Sequence, residues 1–294
     1  MINPHSASFD STMSESMVGL HISSAGSLDL AFDRALELGA TTFQMFTRNP
    51  NQWKFKPIPD ETVTAFREKR KSSGFARIVD HMPYLPNLAS PEKSTMRISR
   101  YTLDEEIKRC DALGIDYLVV HLGSHLGKGA AVGISNVAGA CNEAIAESEG
   151  ETMILLENMA GQKNSVGARF EEIRGILDRV RVSGRVGVCL DTCHLYAAGF
   201  DLGGEEAVSN TMGLFGQVVG FERLKVVHLN DSKGTLGSRL DRHENIGKGK
   251  IGRKGIRAFL RYPGVRERPL IMETPYEDVG TMKMSLRLVR TLLR

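Results

Sequence analysis

What the sequence lacks narrows its class before any motif is read. Nowhere in its 294 residues is there an apolar run of about eighteen, the least that a membrane-spanning helix needs. The four cysteines, Cys110, Cys141, Cys189 and Cys193, follow neither a disulfide framework nor a zinc-ribbon spacing. They fit a reducing compartment and are assigned to packing. Neither sign of charge dominates, and the net +3 neither requires nor excludes a nucleic-acid partner. Residues 1–16 lack the apolar core of a signal peptide and the Arg-rich pattern of a transit peptide. They read as a disordered tail, or as an over-called start with Met13 or Met17 as initiator. The protein is expected in the cytoplasm. No linker divides the remainder, so residues 17–294 read as one domain, and 41% apolar residues are enough for a sizeable core.

Along that domain, short apolar runs alternate with amphipathic ones. The pattern predicts strands at 17–22, 41–46, 77–81, 117–121, 152–157, 186–191, 225–229 and 269–273. Helices are predicted at 28–38, 61–72, 91–113, 134–147, 169–180, 205–219, 251–260 and 282–293. Eight alternating pairs describe an α/β fold, a single (β/α)8 TIM barrel. The rival is an open doubly wound sheet, which gathers ligands at one or two switch points. A barrel brings every strand's C-terminal end to one mouth.

The strand ends distinguish the two. The stretch from Arg185 to His194 closes a buried run with Asp191 and places His194 three residues on. Alone, Asp-x-x-His reads equally as a helix cap followed by a surface histidine. The other strands repeat the pattern: His81, His121, Glu157, Asp191, His228 and Glu273 end six consecutive strands, spaced 34 to 45 residues apart. Six such groups at one mouth without a common partner would be costly, so a metal site is expected there. His194, Asp241 and His243 lie in loops at the same end. Nine donors exceed what one ion uses, which implies two or three clustered ions. Of the other histidines, His5 falls in the tail, His21 ends the first strand and lines the mouth, and His125 is expected to orient ligands.

These segments carry a resemblance. His21-Ile-Ser-Ser-Ala-Gly26, Phe46-Thr-Arg-Asn-Pro50, His81-Met-Pro-Tyr-Leu-Pro-Asn-Leu-Ala-Ser90, His121-Leu-Gly-Ser-His125 and Leu156-Glu-Asn158 belong to it. So do Leu190-Asp-Thr-Cys-His194, His228-Leu-Asn-Asp-Ser232, Asp241-Arg-His243, Ile246-Gly-Lys-Gly-Lys-Ile-Gly252 and Met272-Glu-Thr-Pro275. Together they resemble endonuclease IV, the zinc-dependent apurinic/apyrimidinic (AP) endonuclease family of base-excision repair, from about Val18 to the C-terminus. The resemblance implies three zinc ions per chain, with manganese admissible at one position. His81, His121 and Glu157 would hold one ion; Glu157 would bridge to a second, shared with Asp191, His228 and Glu273. His194, Asp241 and His243 would hold the third. It further implies metal-assisted in-line attack on the phosphate 5′ to an abasic site in duplex DNA. A 3′-hydroxyl and a 5′-deoxyribose phosphate would remain, and blocked 3′ ends would be cleaned by the same chemistry. Glu157 would be bridging ligand and proton acceptor.

For DNA, the resemblance points to Tyr84 and Leu85 entering the duplex beside the lesion. Arg48, Arg242, Lys248 and Lys250 are basic residues flanking the motifs and are expected at phosphates. Residues 247–250 are expected to bring backbone N–H groups to an anion. Two positions depart from the family pattern: Asn51 stands where an Arg often helps fill the emptied stack, and Leu122 where Pro is common. A monomer is expected, because a dimer would obstruct the duplex. The runner-up function is a divalent-metal sugar isomerase or epimerase of the same barrel superfamily, which has no use for Asp241-x-His243.

Overall fold

The computed structural model describes residues 16–54, 56–275 and 278–294. The expected tail therefore lies, except for Ser16, outside the described residues. Eight parallel strands form the barrel: β1 (Val18–Leu20), β2 (Phe43–Met45), β3 (Ile78–His81), β4 (Tyr117–His121), β5 (Met153–Glu157), β6 (Val186–Asp191), β7 (Leu224–His228) and, last in the chain, β10 (Leu270–Met272). Their order is β1-β10-β7-β6-β5-β4-β3-β2. A parallel bridge between His21 and Gln44 closes the ring between β1 and β2. Closure needs a glycine at position 19, where a Cβ would lie 1.8 Å from the carbonyl oxygen of Thr42. The open-sheet alternative is excluded.

Helices cover the outside: α1 (Leu30–Leu38), α2 (Asp60–Ser73), α3 (Lys93–Leu113), α4 (Ala130–Glu147), α5 (Phe170–Leu177), α7 (Glu205–Val218), α8 (Gly252–Arg261) and α9 (Val279–Leu293). Their apolar faces and the outward faces of the strands form one continuous core. Among the described residues no helix is long and apolar enough to cross a membrane. Two features escaped the sequence pattern. One is the short helix α6 (Thr192–Ala198) after β6. The other is a small hairpin, β8 (Asp231–Ser232) paired antiparallel to β9 (His243–Glu244), inserted between β7 and α8.

The inside of the barrel explains the mouth. Val79, Val119, Leu155, Cys189, Val226 and Ile271 form a separate, fully buried cluster, one residue from each of six strands. Side chains alternate faces along a strand with period two. Two residues further along each strand stand His81, His121, Glu157, Asp191, His228 and Glu273. A dry apolar layer therefore floors a layer of imidazoles and carboxylates.

Candidate metal centre

Glu157, at the end of β5, is fully buried and sits at the centre of the layer. Its Oε2 lies 3.4 Å from His81 Nε2 and 3.0 Å from His121 Nε2. Its Oε1 lies 3.0 Å from His228 Nδ1 and 3.4 Å from His194 Nδ1. Each oxygen thus faces a different set of donors. His228 Nδ1 is also 3.1 Å from Glu273 Oε2. At the third corner, Asp241 Oδ1 is 3.1 Å from His194 Nε2 and 3.4 Å from His243 Nε2, and the latter is 3.4 Å from Asp191 Oδ2. The donor atoms fall into compact sets: His81, His121 and Glu157; Glu157, Asp191, His228 and Glu273; His194, Asp241 and His243. All nine residues expected from the sequence converge.

The donor set fits cations. Glu157 Oε2, His194 Nε2 and His243 Nε2 are buried without an aligned hydrogen bond, although neighbouring donors stand close. Tetrahedral ligands about 2.0–2.2 Å from a zinc ion lie roughly 3.3–3.6 Å from one another, close to the spacings seen here. Four imidazoles also have one ring nitrogen engaged by an oxygen. His81 Nδ1 faces Met82 O at 2.6 Å, His194 Nδ1 faces Asn158 O at 2.8 Å, and His243 Nδ1 faces Glu273 O at 3.2 Å. His228 Nε2 faces Gln44 Oε1 at 2.8 Å. Donating N–H there leaves the other nitrogen's lone pair for a metal.

Electrostatics follow from this crowding. Burial alone would push the Glu157 carboxyl up, but the His121 and His228 imidazoles hold it well below the usual carboxylate range. Against the same effect of burial, His228 draws Glu273 down to about 2 and His194 draws Asp241 down to about 2. In return, Glu157 raises His121 and Asp191 raises His194, although burial opposes both. Burial lowers His21 to about 4. Cys193 also lies near Asp191 and His243. Its Sγ faces Arg242 O at 3.6 Å, and burial pushes its thiol up to about 12, in keeping with packing.

While His194 is buried rather than at the surface, Asp191 caps a helix as well as facing the donor set. Its Oδ1 accepts the His194 backbone N–H at 2.8 Å and caps α6, while Oδ2 accepts from Asn230 Nδ2 at 2.6 Å. Asn158 braces the same loop by accepting Asp191 N–H at 2.7 Å. Gln44 is the residue that sequence reasoning missed. Besides its contact with His228, it donates through Nε2 to Glu273 Oε1 at 2.6 Å and lies 3.1 Å from His21 Nδ1. An amide inside an otherwise apolar strand was the available signal.

A pocket of about 340 Å³ opens over the cluster, lined by Tyr84, Arg242 and Pro275 together with six of the nine donors. Tyr84 is 53% exposed and Leu85 38%, both at the rim, and the Tyr84 ring rests against Phe46, His81 and His121. Asn51, Arg242, Lys248 and Lys250 are exposed. Arg48 is not: its side chain is 5% exposed and pairs with buried Glu106, while Nη1 donates to Gln52 O at 2.7 Å. It holds the loop after β2 rather than presenting charge to solvent. Two expectations are corrected. His125 does not orient ligands; its Nδ1 accepts from Gly129 N–H at 3.0 Å in its own loop. The backbone of residues 247–250 does meet an anion, but that anion is the side chain of Asp231.

Comparison with known proteins gives a consistent set. Residues 32–292 match the family model described as a xylose isomerase-like TIM barrel. A protein of Methanoculleus marisnigri named "probable endonuclease 4" is 48% identical over 277 residues, covering 94% of this chain and 98% of its own length. One of the same name from Halothermothrix orenii is 41% identical, covering 88% and 93% respectively. The crystal structure of endonuclease IV from Thermus thermophilus superposes with a TM-score of 0.84 at 34% identity, covering 94% of this chain and 98% of that one. A D-tagatose 3-epimerase-like protein, at 18% identity and a TM-score of 0.70, shares the fold alone.

Proposed function

The chain belongs to the endonuclease IV family, a metal-dependent line of DNA-hydrolysing AP endonucleases, and from that premise we propose the role of each residue at its mouth. The substrate is duplex DNA carrying an abasic site or a blocked 3′ end. Cleavage falls 5′ to the lesion and leaves a 3′-hydroxyl and a 5′-deoxyribose phosphate. The nine converging side chains hold three zinc ions in the sets described, with manganese admissible at one of them. The observation that carries this reading is Glu157, whose two buried oxygens face separate groups of imidazoles, as a bridging carboxylate requires.

Bound zinc lowers the pKa of water from 15.7 to about 7 and neutralises charge on the phosphate under attack. The chain supplies the rest. Glu157 accepts the proton of the attacking water. His194, Asp241 and His243 would hold the ion that helps the departing oxygen. Tyr84 and Leu85 form an apolar wedge at the rim, suited to entering the stack and turning the abasic sugar inward. Arg242, Lys248 and Lys250 are placed for phosphates on either side. With Arg48 withdrawn into the protein and Asn51 in place of the usual Arg, exposed Gln52 and Trp53 are the substitutes left to fill the emptied stack. The enzyme acts as a monomer, in the cytoplasm beside the nucleoid. An epimerase of this barrel would leave the set His194, Asp241 and His243 without a task.

The decisive experiment incubates abasic duplex with the protein, with and without phenanthroline, alongside metal analysis. Incision that the chelator abolishes and three zinc ions per chain support the reading. Chelator-resistant incision, or one or two manganese ions with sugar epimerisation, overturns it. A Glu157→Gln variant retaining more than about a tenth of the rate would count against the role of Glu157.

A further inference from the structure

Of the three donor sets, two stand on barrel strands and the third does not. Asp241 and His243 belong to the insertion between β7 and α8, outside the main ladder, and something must hold that insertion in place. The geometry points to Asp231, which we infer to be the positioning residue for this third set. Asp231 is fully buried. Its backbone pairs opposite Glu244, and Ser232 pairs opposite His243. Its Oδ1 accepts N–H from Ser232 at 2.8 Å and Ile251 at 3.0 Å. Its Oδ2 accepts from Gly247 and Gly249, both at 3.0 Å, and Gly252 N–H reaches both oxygens at 3.3 and 3.2 Å.

Five backbone donors converge on one carboxylate, so the segment returning from His243 to α8 is wound around a single side chain. A carboxylate can accept at both oxygens and has nothing to donate. An amide in its place would turn an N–H₂ group toward Gly247 and Gly249, meeting donors with donors. The turn is closed from the other side by position 249, where a Cβ would lie 2.4 Å from Asp231 Oδ1 and 2.5 Å from Ser232 O. The same winding fixes Lys248 and Lys250: Lys248 N–H donates to Asn245 O at 2.9 Å and Lys250 N–H to Ser232 O at 2.7 Å. Asp231 thus couples the third donor set to the pair of lysines at the rim.

This inference rests on the proposed three-ion site, and its test separates the two. Zinc-loaded full-length Asp231→Asn and Gly249→Ala proteins are compared with the parent by metal analysis and zinc competition against a chromophoric chelator. Backbone hydrogen exchange is followed over residues 244–252 and over β5 to β7. The expected result is selective: one of three ions weakened about 10- to 100-fold, as for lost support of a ligand. Exchange should speed up at Gly247, Gly249 and Ile251 while the strands stay protected. Full retention of the third ion overturns the inference, and so does joint loss of all three with exposure of the strands. If the parent itself holds fewer than three ions, the three-ion reading fails. The exchange pattern still decides for Asp231, and unchanged protection at 244–252 overturns its role.

Discussion

At the scale of single residues, the site separates groups that would hold the ions from groups that aim them. Gln44 belongs to the second kind. It engages His228 and Glu273 at once, so truncating it frees an imidazole to turn and removes one of the donors facing the Glu273 carboxylate. Gln44→Ala should weaken zinc at the set containing His228 about 10- to 100-fold while leaving KM for abasic duplex nearly unchanged at saturating zinc. Chelator competition and steady-state kinetics check both halves. Six of the nine candidate donors were legible from sequence because they recur in register at strand ends, and His194, Asp241 and His243 because their loops open at the same end. Gln44 and Asp231 were not. One acts through an amide that binds no metal strongly, and the other acts on backbone N–H groups, which leave no trace in a pattern of side chains.

At the scale of elements, the loop after β2 is set from beneath by β3 and α3. Thr47 N–H donates to Asp80 Oδ1 at 3.0 Å, Thr47 Oγ1 to Glu106 Oε2 at 3.1 Å, and Arg109 Nη1 to Lys56 O at 3.1 Å. Arg48 completes this clamp through Glu106. Arg48→Met leaves a buried carboxylate short of its cation and should cost about 3 kcal/mol of stability, read as a lowered Tm. It should leave the salt dependence of duplex binding as it was. Lys248→Gln should do the opposite, with an unchanged Tm and a slope of log K against log salt smaller by about 0.9. Binding measured at several salt concentrations distinguishes a clamp from a phosphate contact. Sequence placed the long elements well, since helices such as α3 repeat their apolar face over many turns. It missed α6 and the β8–β9 hairpin, which are too short to show any periodicity and are held by Asp191 and Asp231.

At the scale of the molecule, one mouth gathers nine ionisable groups over a dry floor, and this couples metal to protons. In the metal-free protein, the carboxylates raise His121 and His194 above the ordinary histidine value. These imidazoles hold their protons more tightly than a free imidazole does, and a cation must displace them. Zinc affinity should therefore rise with pH through and above the usual histidine range, by about tenfold per unit for each proton released. Zinc titrations in weak buffer at several pH values would register this as acid liberated on binding. Uptake without proton release would contradict it. The barrel itself was visible in sequence because six residues able to bind metal, at strand ends 34 to 45 residues apart, make sense only on a ring. The part played by Gly19 in closing the ring was not visible, since it depends on the absence of a Cβ against Thr42 O.

The offset between floor and mouth has a further consequence. Val119 and His121, or Leu155 and Glu157, are neighbours on one face only because a single residue separates them. Removing or adding one amino acid inside any of these strands would turn its donor out into the helical shell and a greasy side chain into the cations' place. Lengthening a loop at the opposite end of the barrel would disturb nothing of the kind. The chemistry is encoded in phase as much as in composition, so descendants of this chain are least free to vary in length within the strands and within the insertion wound on Asp231.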